Sequence, residues 1–209
     1  MLDLAAMDMA LARRHWVFDL DGTLTLPVHD FAAIRAELGV PEGADILGFL
    51  ASLPSRQAAP LYGRLQAIEE ELALKTAAAA GAVHFIARLH RRGDRLGVLT
   101  RNTRDNSLRT LAAIGVGDYF PVKSVVGRDE ARPKPDPEGI VKLAALWEVL
   151  PASMVMVGDY LFDLQAGQTA GAATIHVHGG RSARWPEWTD LCVPTLEVLA
   201  ERLAETDRE

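Results

Sequence analysis

The sequence predicts an α/β fold: a Rossmann-like parallel sheet with helices on both faces, interrupted by an inserted all-helical cap. Short apolar runs alternate with stretches of helical periodicity, which is typical of βαβ units. The runs contain few polar residues, as expected for parallel strands that are covered on both faces. Between residues 26 and 81 the alternation stops, and only helical patterns are visible.

Five short, mostly apolar runs are the predicted strands. Apart from the first two, which are separated by the helical segment, each follows its predecessor after a connection long enough for a crossover. They are His15–Leu20, Arg95–Leu99, Val122–Val126, Met154–Val157 and Thr174–Val177.

Apolar residues three or four positions apart predict helices between these strands. Residues 82–93 carry such a face and end in Arg-Arg-Gly, a helix stop signal. The same pattern covers residues 106–115 and 135–147. In the last of these, we expect Asp136 to cap the helix and Pro137 to stand in its first turn.

The inserted segment, residues 26–81, is predicted to be a helical cap, with residues 1–25 and 82–209 forming the α/β catalytic core. Its predicted helices cover residues 31–38, about 44–53 and about 58–79. Three acidic residues, Glu69–Glu71, are expected on a solvated helix face. Arg56 and Arg64 are expected to be solvated as well, with contact to a substrate anion as the alternative.

Composition and charge narrow the function classes. The chain has 209 residues, 49% of them hydrophobic, and a net charge of −6, which argues against a general nucleic-acid binder. Cys192 is the single cysteine, so no intrachain disulfide is possible and a reducing compartment is favoured. The order of charges before residue 15 does not match a secretory signal, and no apolar run is long enough to cross a membrane. We therefore expect a cytoplasmic protein, a monomer or a homodimer, without nucleic-acid or membrane partners.

Polar residues follow four of the predicted strands. Asp19 and Asp21 come after the first strand, Thr100 after the second, Lys134 in the loop after the third, and Asp159 and Asp163 after the fourth. Ligands of open parallel sheets bind at the carboxyl ends of the strands. The sequence therefore predicts one site that contains carboxylates, a hydroxyl and an ammonium group.

These residues resemble the motifs of the haloacid dehalogenase superfamily of phosphohydrolases. The match consists of Asp19-Leu20-Asp21-Gly22-Thr23, then Thr100, Lys134, and Gly158-Asp159 followed by Asp163, in the order of the family. The helical segment after the first strand resembles the cap of its phosphoglycolate phosphatase-like branch. An isolated Asp-Gly is commonly a turn, but four motifs after four strands form a specific set.

The resemblance implies a role for each residue of the first motif. Asp19 is the implied nucleophile, which forms an aspartyl-phosphate. Asp21, whose side chain faces the same way in an extended segment, is the implied general acid and then base. Gly22 is expected to let the chain turn sharply and Thr23 to anchor that turn, with both near the phosphate.

Mg²⁺ is the implied cofactor, because carboxylates facing a phosphate need a cation between them. The expected ligands are Asp19, the backbone carbonyl of Asp21, and Asp159, while Asp163 joins them or orients Lys134. Lys134 and Thr100 are expected to hold the phosphate oxygens. Arg101 and Asn102, which follow Thr100, are further candidates for phosphate binding.

The function predicted in this way is hydrolysis of a small phosphorylated metabolite. A phosphomutase of the same superfamily is the first alternative. A dehalogenase is disfavoured because it does not need Asp21 as a leaving-group acid. A non-catalytic phosphoacceptor or binding module, similar to a receiver domain, is the alternative from another class.

Two residue types outside these motifs, histidine and tryptophan, leave questions open. His176 and His178 alternate on the last predicted strand and share a face, so a metal site is conceivable, although a strand-end pair is the favoured interpretation. Trp185 and Trp188 belong to a loop that could border the pocket or an interface, and a packed loop is favoured.

Overall fold

Six parallel strands form one sheet, which confirms the predicted α/β class. The computed structural model describes residues 3–206. The sheet order is β3-β2-β1-β4-β5-β6, and every neighbouring pair is parallel. The strands are β1 (His15–Phe18), β2 (Arg95–Leu99), β3 (Val125–Val126), β4 (Met154–Gly158), β5 (Ala173–Val177) and β6 (Leu191–Val193).

Three strands differ clearly from the prediction, while β4 and β5 are each one residue longer than predicted. Strand β1 ends at Phe18 because the chain then turns, with the Leu20 carbonyl accepting hydrogen bonds from three backbone N–H groups. Strand β3 is reduced to Val125–Val126 because residues 122–124 form a short 3₁₀ turn. Strand β6 was not predicted, since three residues are too few to show a pattern.

Helices cover both faces of the sheet, and the inserted segment is helical as predicted. The helices outside the insertion are α1 (Leu4–Leu11), α5 (Ala82–Arg91), α6 (Arg104–Ala113), α7 (Glu138–Trp147), α8 (Leu161–Ala170) and α9 (Leu196–Thr206). Those inside it are α2 (Phe31–Leu38), α3 (Ile46–Ser52) and α4 (Ser55–Ala73). Among the helices outside the insertion, α1, α8 and α9 were not predicted from the sequence. Across residues 3–206, no helix combines the length and apolarity that a membrane crossing requires.

Alternate residues of β1 pack on opposite faces of the sheet. Trp16 and Phe18 face α5, where both rings meet Phe85 edge-on at centroid distances of 5.3 and 6.2 Å. Val17 points to the other face and joins a second cluster with Ile140 of α7. Because all five side chains are fully buried, each contributes on the order of 1.5–3 kcal/mol to folding. This packing fixes the strand from which Asp19 emerges.

Helices α2, α3 and α4 have an apolar cluster of their own, with Ile34, Leu50 and Leu65 among its buried members. The two linkers that join this segment to the sheet run side by side. Leu26 N donates to the Ala77 carbonyl and Ala79 N to the Leu24 carbonyl, each at 2.9 Å. The division into a core and a separate cap domain stays a prediction, and residues 1–2 and 207–209 of the predicted core lie outside the described residues.

Candidate active site

The structure brings the predicted strand-end residues to one edge of the sheet. Asp19 follows β1 and is tied to the neighbouring strand by a hydrogen bond from its N–H to the Val157 carbonyl at 2.9 Å. Thr100 follows β2 in the same way, with its N–H bonded to the Val126 carbonyl at 3.0 Å. Because β1 lies between β2 and β4, the groups that follow these strands converge on Asp19.

A buried lysine connects two of the carboxylates. Lys134 Nζ lies 2.5 Å from Asp19 Oδ1 and 2.6 Å from Asp163 Oδ1. Lys134 is only 2% exposed, as is Asp163. A buried ammonium group needs such partners, because leaving it unpaired is costly. The lysine therefore holds Asp19 in a defined position beside Asp163.

Two small residues let the carboxylates approach each other. Gly22 has a φ of +94°, and a Cβ there would lie 2.5 Å from Asp159 Oδ2. A Cβ on Gly158 would lie 2.2 Å from Asp163 Cβ. The expected sharp turn at Gly22 is thus present, and close packing as well as the backbone conformation requires glycine.

The Thr23 side chain makes different contacts from those expected. Its hydroxyl lies 3.3 Å from both Asp19 Oδ2 and Asp159 Oδ1, so it bridges two carboxylates instead of anchoring the turn. Thr25 takes the anchoring position, with Oγ1 donating to the Leu20 carbonyl at 3.3 Å.

Asp19, Asp159 and Asp163 form a group that fits a hard metal ion. One carboxylate oxygen from each lies within 4.8 Å of the others. Oxygen donors of this kind suit Mg²⁺, which retains several waters and needs only a few protein ligands. The carboxylate of Asp21 is not part of this group, and it borders instead the space between the sheet edge and α4.

Burial and mutual repulsion shape the protonation of this group. Burial raises the pKa of Asp19 and of Asp163 to about 6, although Lys134 opposes the rise in both. Burial, reinforced by Asp163, also raises the pKa of Asp159 to about 6. Burial alone would lower the pKa of Lys134, but Asp163 and Asp19 more than offset it and hold that pKa above its usual range. A bound cation would favour the ionised carboxylates.

The residues after β2 form a hydrogen-bonded loop. The Thr100 hydroxyl accepts from Asn102 N at 3.1 Å, and Asn102 Oδ1 accepts from Thr103 N at 2.8 Å. Thr100 and Asn102 are both buried. The Thr100 hydroxyl is therefore held within its own loop, while Thr103, which donates its N–H to Asn102, is the residue that caps α6 through its side chain.

Arg101 is directed toward the inserted segment. Its guanidinium contacts the Asp45 carboxylate, donates to the Lys134 carbonyl at 2.7 Å, and lies over the Phe162 ring at 5.0 Å. It thereby connects the start of α3 with the loop that carries the buried lysine. Arg64, another candidate for anion contact, pairs with exposed Glu37 inside the insertion.

The expectation that Glu69 is solvated is wrong. Glu69 is 8% exposed, and both of its carboxylate oxygens accept from Arg128 Nη1, at 2.7 and 2.9 Å. Burial raises the pKa of Glu69, while Arg128 opposes the rise. The helical spacing could have indicated this burial, because Leu65 and Ala73, four residues to either side of Glu69, lie on the same helix face and are also buried. The pair joins α4 to the loop after β3.

Arg181 is a site neighbour that the sequence motifs did not identify. Its Nη1 lies 2.7 Å from Asp159 Oδ2. Arg181 follows β5 in an irregular loop, where no motif or periodicity marks it.

The histidine pair and the tryptophan loop lie next to this region. His176 is buried, and its ring packs against the Trp185 ring with their centroids 5.1 Å apart. Its Nδ1 atom lies 3.8 Å from Cys192 Sγ. Burial, and to a smaller extent the positive charge of Arg184, lowers the pKa of His176 to about 4. Among the described residues, the one cluster with metal-binding geometry is the aspartate group.

Comparison with protein families matches residues 41–177, about two thirds of the chain, to haloacid dehalogenase-like hydrolases. This range includes Thr100, Lys134, Asp159 and Asp163 but begins after Asp19.

Individual proteins extend this likeness. An uncharacterized hydrolase of Saccharomyces cerevisiae is 27% identical over 200 residues, covering 92% of each chain. A phosphoglycolate phosphatase of Nitrosospira multiformis is 34% identical over 117 residues. The matched segment covers 56% of this chain and 50% of that protein. The crystal structure of a hydrolase from Pseudomonas syringae has a TM-score of 0.75 at 22% identity, covering 92% of this chain and 99% of that one, which shows a shared fold.

Proposed function

Since the chain belongs to the haloacid dehalogenase-like hydrolases, we propose that it is a Mg²⁺-dependent phosphatase of a small phosphorylated metabolite. The observation that carries the proposal is the buried Lys134, which lies between Asp19 and Asp163 beside a third carboxylate. The relative from Nitrosospira multiformis, a phosphoglycolate phosphatase, supports the same reaction class. We further propose that the enzyme acts in the cytoplasm, as a monomer or a homodimer.

Asp19 is the proposed nucleophile. Lys134 holds one of its oxygens and Thr23 the other, so the carboxylate cannot rotate freely. One Asp19 oxygen forms a bond to phosphorus while the bond from phosphorus to the leaving oxygen breaks. The product of this step is an aspartyl-phosphate, and the single difficult hydrolysis becomes two easier steps.

Asp21 is the proposed proton carrier. It donates a proton to the departing alkoxide in the first step. In the second step it accepts a proton from the water that attacks the aspartyl-phosphate, which restores the Asp19 carboxylate and releases phosphate. Its position outside the aspartate group, next to the space beside α4, supports this role.

The remaining residues are proposed to bind the phosphate and the metal. Lys134, Thr100 and the turn at Gly22 and Thr23 face the non-transferring oxygens, with Arg101 and Asn102 shaping the loop after Thr100. Asp19, Asp159, Asp163 and the backbone carbonyl of Asp21 would hold Mg²⁺. When bound, the ion supplies the positive charge that offsets the repulsion between the carboxylates and the substrate.

The test is release of inorganic phosphate from a panel of phosphate esters, in Mg²⁺ and in a chelator. We expect release that requires the metal and that Asp19→Asn abolishes. Asp105→Asn, which changes an exposed carboxylate on α6, is the matched control and should keep the activity. Metal-dependent hydrolysis by a folded Asp19→Asn variant would contradict the mechanism.

The same assay separates the alternatives. A phosphomutase would convert a hexose bisphosphate into isomerised products with little free phosphate. A phosphoacceptor module would take up one phosphate per chain and then stop, whereas a phosphatase continues over many turnovers.

A further inference from the structure

A narrow pocket lies between α4 and α6, next to the proposed proton carrier. Its lining includes Asp21, His29, Glu69, Thr76 and Asn106. A general acid must reach the oxygen to which it gives its proton. The group attached to that oxygen would therefore lie in this pocket, which we call the leaving-group pocket.

Asn106 presents an unpartnered acceptor there. Its Nδ2 donates to Asn102 Oδ1 at 3.3 Å, and that same oxygen accepts from Thr103 N at 2.8 Å. Because Asn102 Oδ1 accepts from a backbone N–H, the facing atom of Asn106 has to be its NH₂ group. Asn106 Oδ1 is consequently turned away from this partner, and it is buried without a hydrogen bond in a residue that is 2% exposed.

The other polar side chains of the pocket are two carboxylates and four groups that can both accept and donate a hydrogen bond. Asp21 and Glu69 contribute carboxylates, and the buried Thr76 hydroxyl, which can accept or donate, has no partner. The described residues that line the pocket include neither lysine nor arginine, and His29 is the one lining side chain that can become cationic. The nearby Arg128 already has Glu69 as its partner.

We propose that the leaving-group pocket selects phosphate esters whose alcohol carries further hydroxyl groups, and that it discriminates against alcohols that carry a carboxylate. This inference rests on the proposed phosphatase function. A hydroxyl can donate to Asn106 Oδ1, whose desolvation is otherwise uncompensated. A carboxylate offers no donor to that oxygen, and the described lining provides no lysine or arginine to pair with it, since the nearby Arg128 is already paired with Glu69.

This selectivity differs from that named for the relative in Nitrosospira multiformis. Phosphoglycolate carries a carboxylate next to the ester carbon, which is the group that the pocket disfavours. The pocket is also too narrow to hold a water-sized sphere. An alcohol would therefore need the lining segments to move apart before it could occupy the pocket.

Three esters with the same two-carbon skeleton test the selectivity. They are 2-hydroxyethyl phosphate, ethyl phosphate and phosphoglycolate, compared by kcat/KM in saturating Mg²⁺. We expect 2-hydroxyethyl phosphate to exceed ethyl phosphate by about tenfold or more, since a site built to bind a hydroxyl rejects the analogue without it. Phosphoglycolate should be the poorest of the three.

The outcomes separate the two proposals. If phosphoglycolate matches or exceeds 2-hydroxyethyl phosphate, the inference about selectivity is wrong and the phosphatase function stands. If neither these three esters nor p-nitrophenyl phosphate, added as a general phosphatase substrate, releases phosphate, the proposed function fails and the inference fails with it.

Asn106→Leu tests the residue itself, with Ala113→Leu as its control. Both variants introduce leucine on α6, but Ala113 is exposed and outside the pocket. The ratio of kcat/KM for 2-hydroxyethyl phosphate over ethyl phosphate should fall toward one in Asn106→Leu and persist in Ala113→Leu. The ratio does not depend on how much of each preparation is folded.

Thr76→Val provides a second variant should Asn106→Leu fail to fold. It removes the other unpartnered oxygen with almost no change in shape, and the same ratio should fall. An unchanged ratio in every folded pocket variant would overturn the assignment.

Discussion

Replacing Lys134 by methionine should destabilise the metal-free protein strongly. Methionine is similar in length to lysine but has no charge. The change leaves Asp19 and Asp163, which are both buried, without the ammonium group that contacts each of them. Asp159 lies close enough to add to their repulsion.

The magnitude follows from the burial and the two contacts. Removing one member of a buried ion pair costs about 3–5 kcal/mol, because the other member stays buried and unpaired. Lys134 has two such partners, which favours the upper part of this range, while the variant no longer has to desolvate an ammonium group. We therefore expect the free energy of unfolding to fall by about 4 kcal/mol.

Urea denaturation in the presence of a chelator, followed by circular dichroism, measures this difference. Lys142→Met is the matched control, since Lys142 is half-exposed and pairs with Glu138 on the surface of α7. That variant should unfold nearly like the wild type, because solvent screens exposed pairs. If the two variants lose equal stability, the structural role given to Lys134 is wrong.

Three further predictions concern the metal, the turn and the core. Saturating Mg²⁺ should raise the melting temperature of the wild type and of Asp105→Asn but not of Asp159→Asn, which differential scanning calorimetry measures. An equal rise in all three proteins would contradict the assignment of Asp159 as a metal ligand. Gly22→Ala should lose more stability in urea than Gly43→Ala. Both positions have a positive φ, which costs an alanine about 1–2 kcal/mol, but only at Gly22 would the added Cβ also lie 2.5 Å from Asp159 Oδ2. Phe85→Ala should reduce the free energy of unfolding by about 3–5 kcal/mol, since Phe85 is fully buried, and a loss below 1 kcal/mol would contradict its place in the core.

The sequence was informative about the site because parallel strands end at one edge of their sheet. Asp19, Thr100 and Asp159 each follow a recognisable strand, so topology alone brings them together. The position of Lys134 was harder to predict, since it lies eight residues beyond β3, in a loop. Its contact with Asp19 depends on how that loop folds back over the sheet.

Contacts between distant segments were beyond a reading of local patterns. Glu69 looked like part of a charged helix face, and its burial depends on Arg128, 59 residues away. Arg181 reaches Asp159 from a loop without periodicity. Strand β6 has three residues and is recognisable only through its pairing with β5. In each case the information lies in tertiary packing, which spacing along the chain does not record.

The distribution of charge gives the two sides of the proposed site different tasks. On the side of Asp19, the cations Lys134 and Arg181 come from two different loops and offset three carboxylates. An added divalent ion would make that side suited to a phosphate dianion. The leaving-group pocket offers acceptors and, in its described lining, no lysine or arginine. Under the two proposals, an ester would be oriented by its own polarity, with the phosphate toward Lys134 and the hydroxylated alcohol toward Asn106. Asp21 would then lie at the boundary where the bond between them has to break.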